Sequence, residues 1–472
     1  MSARSRVVVV GGGVSGLATS YFLQRRGGSD VDVRLVEASN RLGGKVLTQQ
    51  VAGHAIDVGP DALLVRVPAL AALLSELGLA DAVVAPGAPG ACVWSRGRLR
   101  PLPPGTMFGV PQKLLPLLRS GLLSTSGVLR AAADLLLPRS RAEAGSDPSV
   151  GALLRPRLGA QVFDRLVDPL LGGVYAGRAD LLSARSVVPE IYAVMEAHRS
   201  IYLGTRGRPG SSAAAGPAMV TLDGGLVRLV DALVAAIDGS TFDLGTGVAG
   251  LSRQGAGYRL TLADGRALDA DAVVLATPAF VTADLLTAVS PVAAAAAAEI
   301  PYADVASVIL AYPRDALSRD LDATGFLVPP TEGLLLVGCS WLTTKWPHLA
   351  DPDLVLVRAM VGRHGDRRFT ALSDEELADR VHSELVLTMG LTAGFKEASV
   401  QRWAQAMPQY TVGHRDRLER IDAALEALPG LFVTGAAYRG VGLASCVSAG
   451  DRIASQLLDL LTTSCASSEG ST

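Results

Sequence analysis

The stretch that decides the fold reads Arg6-Val7-Val8-Val9-Val10-Gly11-Gly12-Gly13-Val14-Ser15-Gly16. Its β-branched run predicts a strand, its glycines predict a tight turn, and residues 17–26 carry the apolar spacing of a helix. After a break at Gly27-Gly28, residues 31–36 predict a second strand, which ends on Glu37. The segment is therefore a predicted strand–turn–helix–strand unit.

Each glycine of this turn has its own steric role. Gly11 allows the tight turn, Gly13 lets a pyrophosphate approach the backbone, and Gly16 lets helix and strand pack closely. The N-terminus of the helix offers free N–H groups and the positive end of its dipole to phosphates. Glu37 lies 21 residues after Gly16, where an acid binds the ribose of a dinucleotide. The unit therefore predicts a dinucleotide site.

A second motif follows directly, because Glu37 continues as Ala38-Ser39-Asn40-Arg41-Leu42-Gly43-Gly44-Lys45. An Arg-x-Gly-Gly in this position is not a general feature of nicotinamide-binding folds. It resembles the second fingerprint of the FAD-dependent amine oxidase superfamily. The resemblance shifts the expected ligand from NAD to FAD.

Composition narrows the class of protein. A chain of 472 residues predicts two or three domains, and a net charge of −2 gives no reason to expect a nucleic-acid partner. The four cysteines are scattered without a C-x-x-C, and the six histidines never fall at H-x-x-x-H spacing. We therefore expect reduced thiols, no metal site and a cytoplasmic location.

Neither a signal peptide nor a membrane span is expected. The apolar run at residues 7–10 is too short for a signal peptide, and no apolar stretch reaches the length of about 18 residues that a span needs. Residues 114–137 come nearest, but Arg119, Arg130 and Asp134 predict amphipathic helices. Two roles stay open for them: a helical domain that packs inward, or an apolar surface that touches a membrane weakly or lines the mouth of a site.

Three further segments carry ligand-binding features. A Gly-Pro turn with Asp61 and Ala62 follows a predicted strand, and such a turn can approach a flat ring closely. Residues 168–177 combine small residues with a single Tyr175, which suits a wall beside a ligand. Residues 431–443 predict a strand and a glycine-rich turn before a helix, a second element whose N-terminus can face a phosphate or a flavin carbonyl.

These elements predict a multidomain α/β (α+β) fold. A discontinuous, Rossmann-like FAD-binding domain is expected from residues 1–90, 217–290 and 400–472. Residues 91–205 are expected to form a helical domain that lines the substrate cavity. Residues 291–399 predict a mixed-sheet domain that binds the substrate.

Taken together, these segments resemble the protoporphyrinogen/coproporphyrinogen III oxidase family over nearly the whole chain. The first two fingerprints occur across the amine oxidase superfamily. The specific stretches are Gly-Val-Tyr-Ala-Gly at residues 173–177 and the segment 402–414, which carries Arg402-Trp403, Pro408-Gln409-Tyr410 and Gly413-His414.

The resemblance implies one FAD, bound without a covalent link, and a porphyrinogen substrate. The implied flavin contacts are Gly11, Gly12, Gly13, Val14, Ser15, Gly16, Glu37, Ala38, Gly44, Lys45, Gly59, Pro60, Asp61, Ala62, Val248, Trp403, Ala436, Val441, Gly442 and Leu443. The implied substrate contacts are Gly173, Tyr175, Asp61 and Arg66. Arg178 and Lys345 are further candidates for substrate propionates by neighbourhood alone. No catalytic side chain is assigned, because the flavin performs the chemistry.

The family has two branches, one forming protoporphyrin IX and one forming coproporphyrin III. Asp61 after Gly-Pro resembles the coproporphyrin branch. That branch implies a six-electron oxidation of coproporphyrinogen III in haem biosynthesis, with O₂ as acceptor and H₂O₂ as product. A downstream haem-pathway enzyme stays open as a partner.

Three rival functions share parts of the pattern. A monoamine or polyamine oxidase shares the first and last motifs, but its aromatic cage and covalent cysteine are not apparent. A carotenoid desaturase shares the FAD unit and would need a long apolar tunnel. A prenyl-GTPase-binding protein on the same fold would hold no flavin.

Overall fold

The computed structural model describes residues 4–65, 67–139, 145–206, 219–238, 242–318 and 320–469. It has a mixed α/β fold, which confirms the predicted fold class at that level. Predicted substrate contact Arg66 lies outside the described residues.

A five-stranded parallel sheet holds the opening strand at its centre. Its order is Phe242–Leu244, Val31–Glu37, Ser5–Val10, Ala272–Leu275 and Leu431–Val433. Val7, Val8, Val9 and Val10 are all buried, because helices or strands cover both faces of the sheet. The strands come from three distant parts of the chain, so their carboxyl ends bring separate sequence segments to one edge.

Two apolar layers cover this sheet. One contains the helices Val14–Gly27, Pro68–Glu76, Val227–Ala236 and Leu443–Glu469. The other contains the antiparallel hairpin sheet Val248–Gln254, Gly257–Leu262 and Ala267–Ala270, with the helices Ala279–Leu286, Pro291–Ala298 and His414–Glu426.

A helical region forms a separate core. Its helices are Leu114–Arg119, Thr125–Ala132, Val150–Leu158, Ala160–Val162, the π-helical turn Phe163–Val167, Asp168–Tyr175, Ala184–Val187, Pro189–Ala197 and Ile201–Thr205. Serine side chains cap four of them by accepting a backbone N–H three residues on: Ser124, Ser149, Ser183 and Ser200. A buried ion pair of Arg157 Nε with Asp134 Oδ1, at 2.7 Å, ties the region together.

The segment 114–137 has the amphipathic character that its sequence predicts. Leu117, Leu122 and Leu123 are buried in the helical core, whereas Leu129 and Leu136 are exposed. Within the residues that the structure describes, none of the helices combines the length and apolar character that crossing a bilayer requires. The segment therefore packs some of its leucines inward and leaves others on an apolar outer surface, so the structure is compatible with both roles considered for it.

A seven-stranded mixed sheet lies beside the helical region. Its order is Glu397–Pro408, Tyr302–Pro313, Leu354–Val361, Leu336–Trp341, Gly325–Leu327, Cys92–Ser95 and Arg98–Pro101. The helix Asp374–Met389, with a Ser373–Glu376 capping box, packs against it. The hairpin 92–101 extends this sheet by pairing with Gly325–Leu327, and its Val93 and Trp94 are buried, although these strands fall within residues 91–205, the expected helical domain. The predicted division into domains stays a prediction.

Short elements complete the chain. They are the pair Thr48–Val51 and His54–Asp57, the strands Leu63–Leu64, Met219–Leu222 and Val83–Val84, the pair Thr106–Met107 and Val110–Pro111, the helix Leu342–Lys345, and the 3-10 turns Gly28–Asp30, Ala80–Ala82, Ala133–Leu135, Arg314–Ala316, Pro330–Glu332, Pro347–Leu349 and Arg368–Ala371.

Candidate flavin and substrate site

In the opening glycine turn, Gly11 and Gly16 are closely packed, whereas Gly13 has open space beside it. A Cβ on Gly11 would lie 2.8 Å from the carbonyl oxygen of Ala276, and one on Gly16 would lie 1.9 Å from that of Gly11. A Cβ on Gly13 would meet nothing within 4 Å among the described residues. Among the described residues, none of the side chains caps the start of the helix Val14–Gly27, so its first N–H groups can face a phosphate.

Glu37 is held at the end of the second strand by backbone donors. Its Oε2 accepts the N–H of Gly12 at 2.6 Å, and its Oε1 accepts the N–H of Ser39 at 2.8 Å. Each carboxylate oxygen keeps a further lone pair, so the group is fixed in place and can still accept ribose hydroxyls.

The second fingerprint folds onto the first. Gly43 donates its N–H to the carbonyl of Gly12 at 2.8 Å, and a Cβ on Gly44 would lie 3.1 Å from the Cα of Gly13. Lys45 keeps an exposed side-chain surface, but crowding by the surrounding protein lowers its pKa. A side chain that is exposed and yet closely surrounded by protein, as Lys45 is, typically lines a cleft.

The Gly-Pro turn joins this surface from another segment. A Cβ on Gly59 would lie 2.0 Å from the carbonyl oxygen of Lys45, so only glycine allows this approach. Trp403 donates its Nε1–H to the carbonyl of Val58 at 3.0 Å. Arg358 donates from Nη1 to the carbonyls of Asp57 and Gly59 at 3.0 and 2.9 Å. Predicted flavin contacts at 45, 59 and 403 are thereby brought together.

Asp61 lies between two buried cations. Its Oδ2 is 2.8 Å from Lys345 Nζ, and its Oδ1 is 2.9 Å from Arg358 Nη2. Burial by itself would raise the pKa of this carboxyl, but the charges of Arg358 and Lys345 outweigh burial and hold the pKa well below its usual range. Lys345 therefore has a buried ion pair, not the rim position proposed for a propionate contact.

Arg358 was not predicted as a site residue. It lies within the strand Leu354–Val361, whose other residues are apolar, and its partner is almost three hundred positions away. An arginine inside an otherwise buried strand was the one available signal, since a buried cation requires a partner.

The predicted substrate wall is the helix Asp168–Tyr175. Gly173 and Val174 are exposed, while Tyr175 is half-buried and its ring centroid lies 5.9 Å from that of Tyr410. Burial raises the pKa of Tyr175 to about 12, so its phenol is neutral at physiological pH. Gln409 donates Nε2–H to the carbonyl of Tyr175 at 2.8 Å, which fixes the end of the wall.

Tyr410 connects this wall to the C-terminal glycine turn. Its hydroxyl donates to the carbonyl of Ala436 and accepts the N–H of Gly440, both at 2.7 Å. Val441 and Tyr175 pack, half-buried, against the same helical core. This bridging role of Tyr410 was not predicted, because the two residues that it binds come from a distant loop.

The C-terminal turn also lies against the opening helix. A Cβ on Gly435 would be 3.9 Å from Ser15 Oγ, whereas a Cβ on Gly442 would meet nothing within 4 Å among the described residues. Gly442 thus resembles Gly13 in leaving space beside a helix start, that of Leu443–Glu469. Residue Val248 begins the hairpin strand next to Gly247, and a Cβ on Gly247 would be 3.5 Å from the Cβ of Ala38.

The residues present fit a flavin dinucleotide. An uncapped helix start and the bare Gly13 suit a pyrophosphate, Glu37 suits a ribose, and the 59–62 turn with Trp403 and the 441–443 turn offers surfaces for a ring. Among the other predicted positions, Arg178 is exposed and lines a different, polar cavity.

Comparison with known proteins agrees with this geometry. The model of the family described as flavin containing amine oxidoreductase matches residues 14–458. The chain therefore belongs to the flavin-containing amine oxidoreductase family, and a flavin cofactor follows at that level.

Within this family the chain is similar to porphyrinogen oxidases. It is 34% identical over 468 residues to a coproporphyrinogen III oxidase of Bacillus subtilis (strain 168), covering 97% of this chain and 99% of the relative. It is 37% identical to the coproporphyrinogen III oxidase of Mycobacterium leprae (strain TN), with 96% and 98% covered. The structure of a putative protoporphyrinogen oxidase from Exiguobacterium sp. 255-15 superposes with a TM-score of 0.86 at 31% identity, covering 97% of this chain and 99% of that one. The family resemblance read from the sequence is confirmed.

Proposed function

We propose that this chain oxidises coproporphyrinogen III to coproporphyrin III in haem biosynthesis. Six hydrogens leave the substrate, and three O₂ are reduced to three H₂O₂. The observation that carries the proposal is the near full-length similarity to bacterial coproporphyrinogen III oxidases.

The cofactor in this proposal is FAD, bound non-covalently. Gly13 and the start of the helix Val14–Gly27 would hold the pyrophosphate, and Glu37 would hold the ribose. When bound, FAD supplies a hydride acceptor that O₂ can reoxidise. What supports a dinucleotide over a shorter flavin is the combination of an open Gly13 with a carboxylate fixed by two backbone N–H groups.

The residues around the ring would orient it. The buried contacts of Arg358 with the carbonyls of Asp57 and Gly59 fix the 59–62 turn, and Trp403 fixes the preceding Val58. A rigid turn holds a flat ring in one orientation and excludes water from its face.

The helix Asp168–Tyr175 would form the wall on the substrate side. Gly173 leaves room for a macrocycle to lie close, and Tyr175 offers a neutral aromatic face. No side-chain base is assigned to the reaction, since the pyrrole N–H protons can pass to solvent. The three predicted domains keep their roles in this proposal, and the scattered cysteines support a cytoplasmic location.

Oxidation of protoporphyrinogen IX is the second candidate. It is supported by a rice chloroplastic protoporphyrinogen oxidase that is 31% identical over 486 residues, with 96% of this chain and 88% of that relative covered. The two porphyrinogens differ in their number of peripheral carboxylates, so a direct comparison of rates separates the candidates.

The test uses the flavin-loaded protein with each porphyrinogen in turn, following porphyrin fluorescence and O₂ uptake together. We expect a higher kcat/KM for coproporphyrinogen III and a ratio of three O₂ consumed per porphyrin formed. A higher value for protoporphyrinogen IX would favour the second candidate. Fluorescence from neither substrate above the uncatalysed rate would overturn both.

A further inference from the structure

A second, polar cavity of about 350 Å³ lies against the wall helix Asp168–Tyr175. Its lining includes Asp168, which begins that helix, and the loop that carries Arg363 and His364. Three arginines and four aspartates surround it: Arg155, Arg178, Arg363, Asp164, Asp168, Asp180 and Asp366. None of these groups was needed to build the flavin site.

Three of the four aspartates of this cavity are already in ion pairs. Arg155 pairs with Asp164 at 2.8 Å and with Asp180 at 2.9 Å. Asp366 pairs with Arg368, also at 2.8 Å. Asp164, Asp180 and Asp366 therefore each have an arginine within 4 Å, and that arginine is neither Arg178 nor Arg363.

Asp168 has no cation within 4 Å among the described residues, although the charge of Arg363 acts on it at longer range. Its Oδ1 accepts the N–H of Ala179 at 2.8 Å, and burial raises the pKa of its carboxyl. Arg178 and Arg363 are consequently the two cations of the cavity without a carboxylate partner within 4 Å among the described residues.

Arg363 is the informative one, because only 8% of its surface is exposed. Its Nη1 has no hydrogen-bond partner among the described residues, and its Nη2 reaches the carbonyl of Val328 only at 3.5 Å. A buried donor without an acceptor costs free energy, more so when it is charged. An acceptor that arrives with a ligand would recover that cost.

Gly172 keeps the place beside Arg363 free of a side chain. A Cβ at this position would lie 4.0 Å from Arg363 Nη1. The backbone N–H of His364 donates to the carbonyl of Ala176 at 2.7 Å, so the arginine loop is tied to the end of the wall. One helix thus turns Gly173 and Val174 to its exposed side and Gly172 towards the unpaired guanidinium.

We propose that Arg363, assisted by Arg178, binds a peripheral carboxylate of the substrate in this cavity. The inference rests on the proposed function, since a coproporphyrinogen carries four propionates at its rim. A guanidinium presents paired N–H donors that match a carboxylate, and Arg363 has the donors to spare. The cavity lies beside the wall, where a substituent of the macrocycle fits better than the ring itself.

The test measures binding of the product to the flavin-loaded protein by fluorescence quenching. The probes are coproporphyrin III and its tetramethyl ester, which has the same ring without the charges. The variants are Arg363→Gln and the charge-preserving Arg363→Lys. Exposed Arg178→Gln is included because it leaves the buried position intact, and exposed Arg415→Gln serves as a control on a different helix, His414–Glu426.

We expect Arg363→Gln to weaken binding of the free acid by about 10- to 100-fold, the effect of one charge-assisted hydrogen bond. Binding of the ester should change by less than about twofold. Arg178→Gln should weaken acid binding by about two- to fivefold. Arg363→Lys should recover part of the loss, and Arg415→Gln should behave as wild type.

Equal losses of binding affinity for the acid and the ester would overturn the carboxylate site. So would an unchanged affinity for the acid in Arg363→Gln, or in Arg178→Gln. If Arg363→Gln binds no flavin, Arg178→Gln decides by the same criterion. Turnover of coproporphyrinogen III by the wild type is measured alongside. Turnover without an arginine effect rejects this inference alone, whereas absent turnover rejects the proposed function.

Discussion

Arg358 and Arg363 are five positions apart, and both are buried, yet their surroundings differ. Arg358 has a carboxylate partner in Asp61 and donates to two backbone carbonyls. Arg363 has no carboxylate within 4 Å among the described residues, whereas each arginine leaves one nitrogen without an acceptor there, Nε in Arg358 and Nη1 in Arg363. A buried cation that is neutralised by a carboxylate fixes the backbone around it, whereas one without a carboxylate is suited to an anionic ligand.

The same contrast occurs between two glycines of the opening turn. A Cβ on Gly16 would collide with the backbone of Gly11, so this glycine serves packing. Space is open beside Gly13 within the described part of the chain, so this glycine serves a ligand. The contrast between filled and open surroundings therefore distinguishes structural positions from binding positions in both motifs.

The largest expected effect comes from the open glycine. Gly13→Val should abolish flavin binding, because its side chain would occupy the space that a pyrophosphate needs, while the fold is retained. Flavin absorbance after desalting and circular dichroism measure the two properties. Gly16→Ala is the matched variant, and it should lose the fold together with the flavin. Full flavin occupancy in Gly13→Val would contradict the assignment.

Breaking the ion pairs of Asp61 with Lys345 and Arg358 should have the next largest effect. Asp61→Asn leaves Lys345 and Arg358 buried without a negative partner, which should lower the free energy of unfolding by about 3–5 kcal/mol. Urea unfolding of the protein measures this. A loss below about 1 kcal/mol would show that the ion pair is not the element that holds the 59–62 turn.

The pH dependence of the stability difference between wild type and Asp61→Asn tests whether the ion pairs of Asp61 cause it. The pKa of Asp61 is lower in the folded protein than its ordinary value of 3.8. A depressed carboxyl pKa contributes stability above the unfolded pKa and loses it as the pH falls towards the folded pKa. The difference between wild type and Asp61→Asn should therefore be constant from about pH 5 to 8 and shrink below about pH 4.

The smallest effect is expected from Arg363→Met, and its size relative to Arg358→Met sharpens the comparison. Removing an unpartnered buried cation should change the free energy of unfolding of the substrate-free protein by about 1 kcal/mol or less. Arg358→Met should cost several times more, because it leaves Asp61 with Lys345 alone and removes the donor to the carbonyls of Asp57 and Gly59. Thermal unfolding of both variants gives the ratio, and equal losses would mean that Arg363 has a structural role after all.

The sequence was sufficient for the local units. The predicted strand at 31–36 and helix at 17–26 correspond to Val31–Glu37 and Val14–Gly27, since apolar periodicity and glycines are local signals. The same holds for the convergence of the segments at 45, 59 and 403, which followed from family resemblance. What the sequence could not show were pairings across the chain.

Three residues illustrate why. Lys345 looked like a rim cation, but it binds Asp61 across 284 positions. Arg358 was hidden in an apolar strand, and Tyr410 was seen as part of a motif without its bonds to Ala436 and Gly440. Such contacts depend on tertiary packing and carry no local pattern.

The central claim, that this chain passes hydrogens from coproporphyrinogen III to a bound flavin, is tested most directly without oxygen. The flavin-loaded protein is mixed anaerobically with one equivalent of coproporphyrinogen III, and the yellow flavin absorbance is followed. We predict that the absorbance bleaches within the time of one turnover and returns when air is admitted. Flavin that stays yellow in the presence of this substrate would contradict the account.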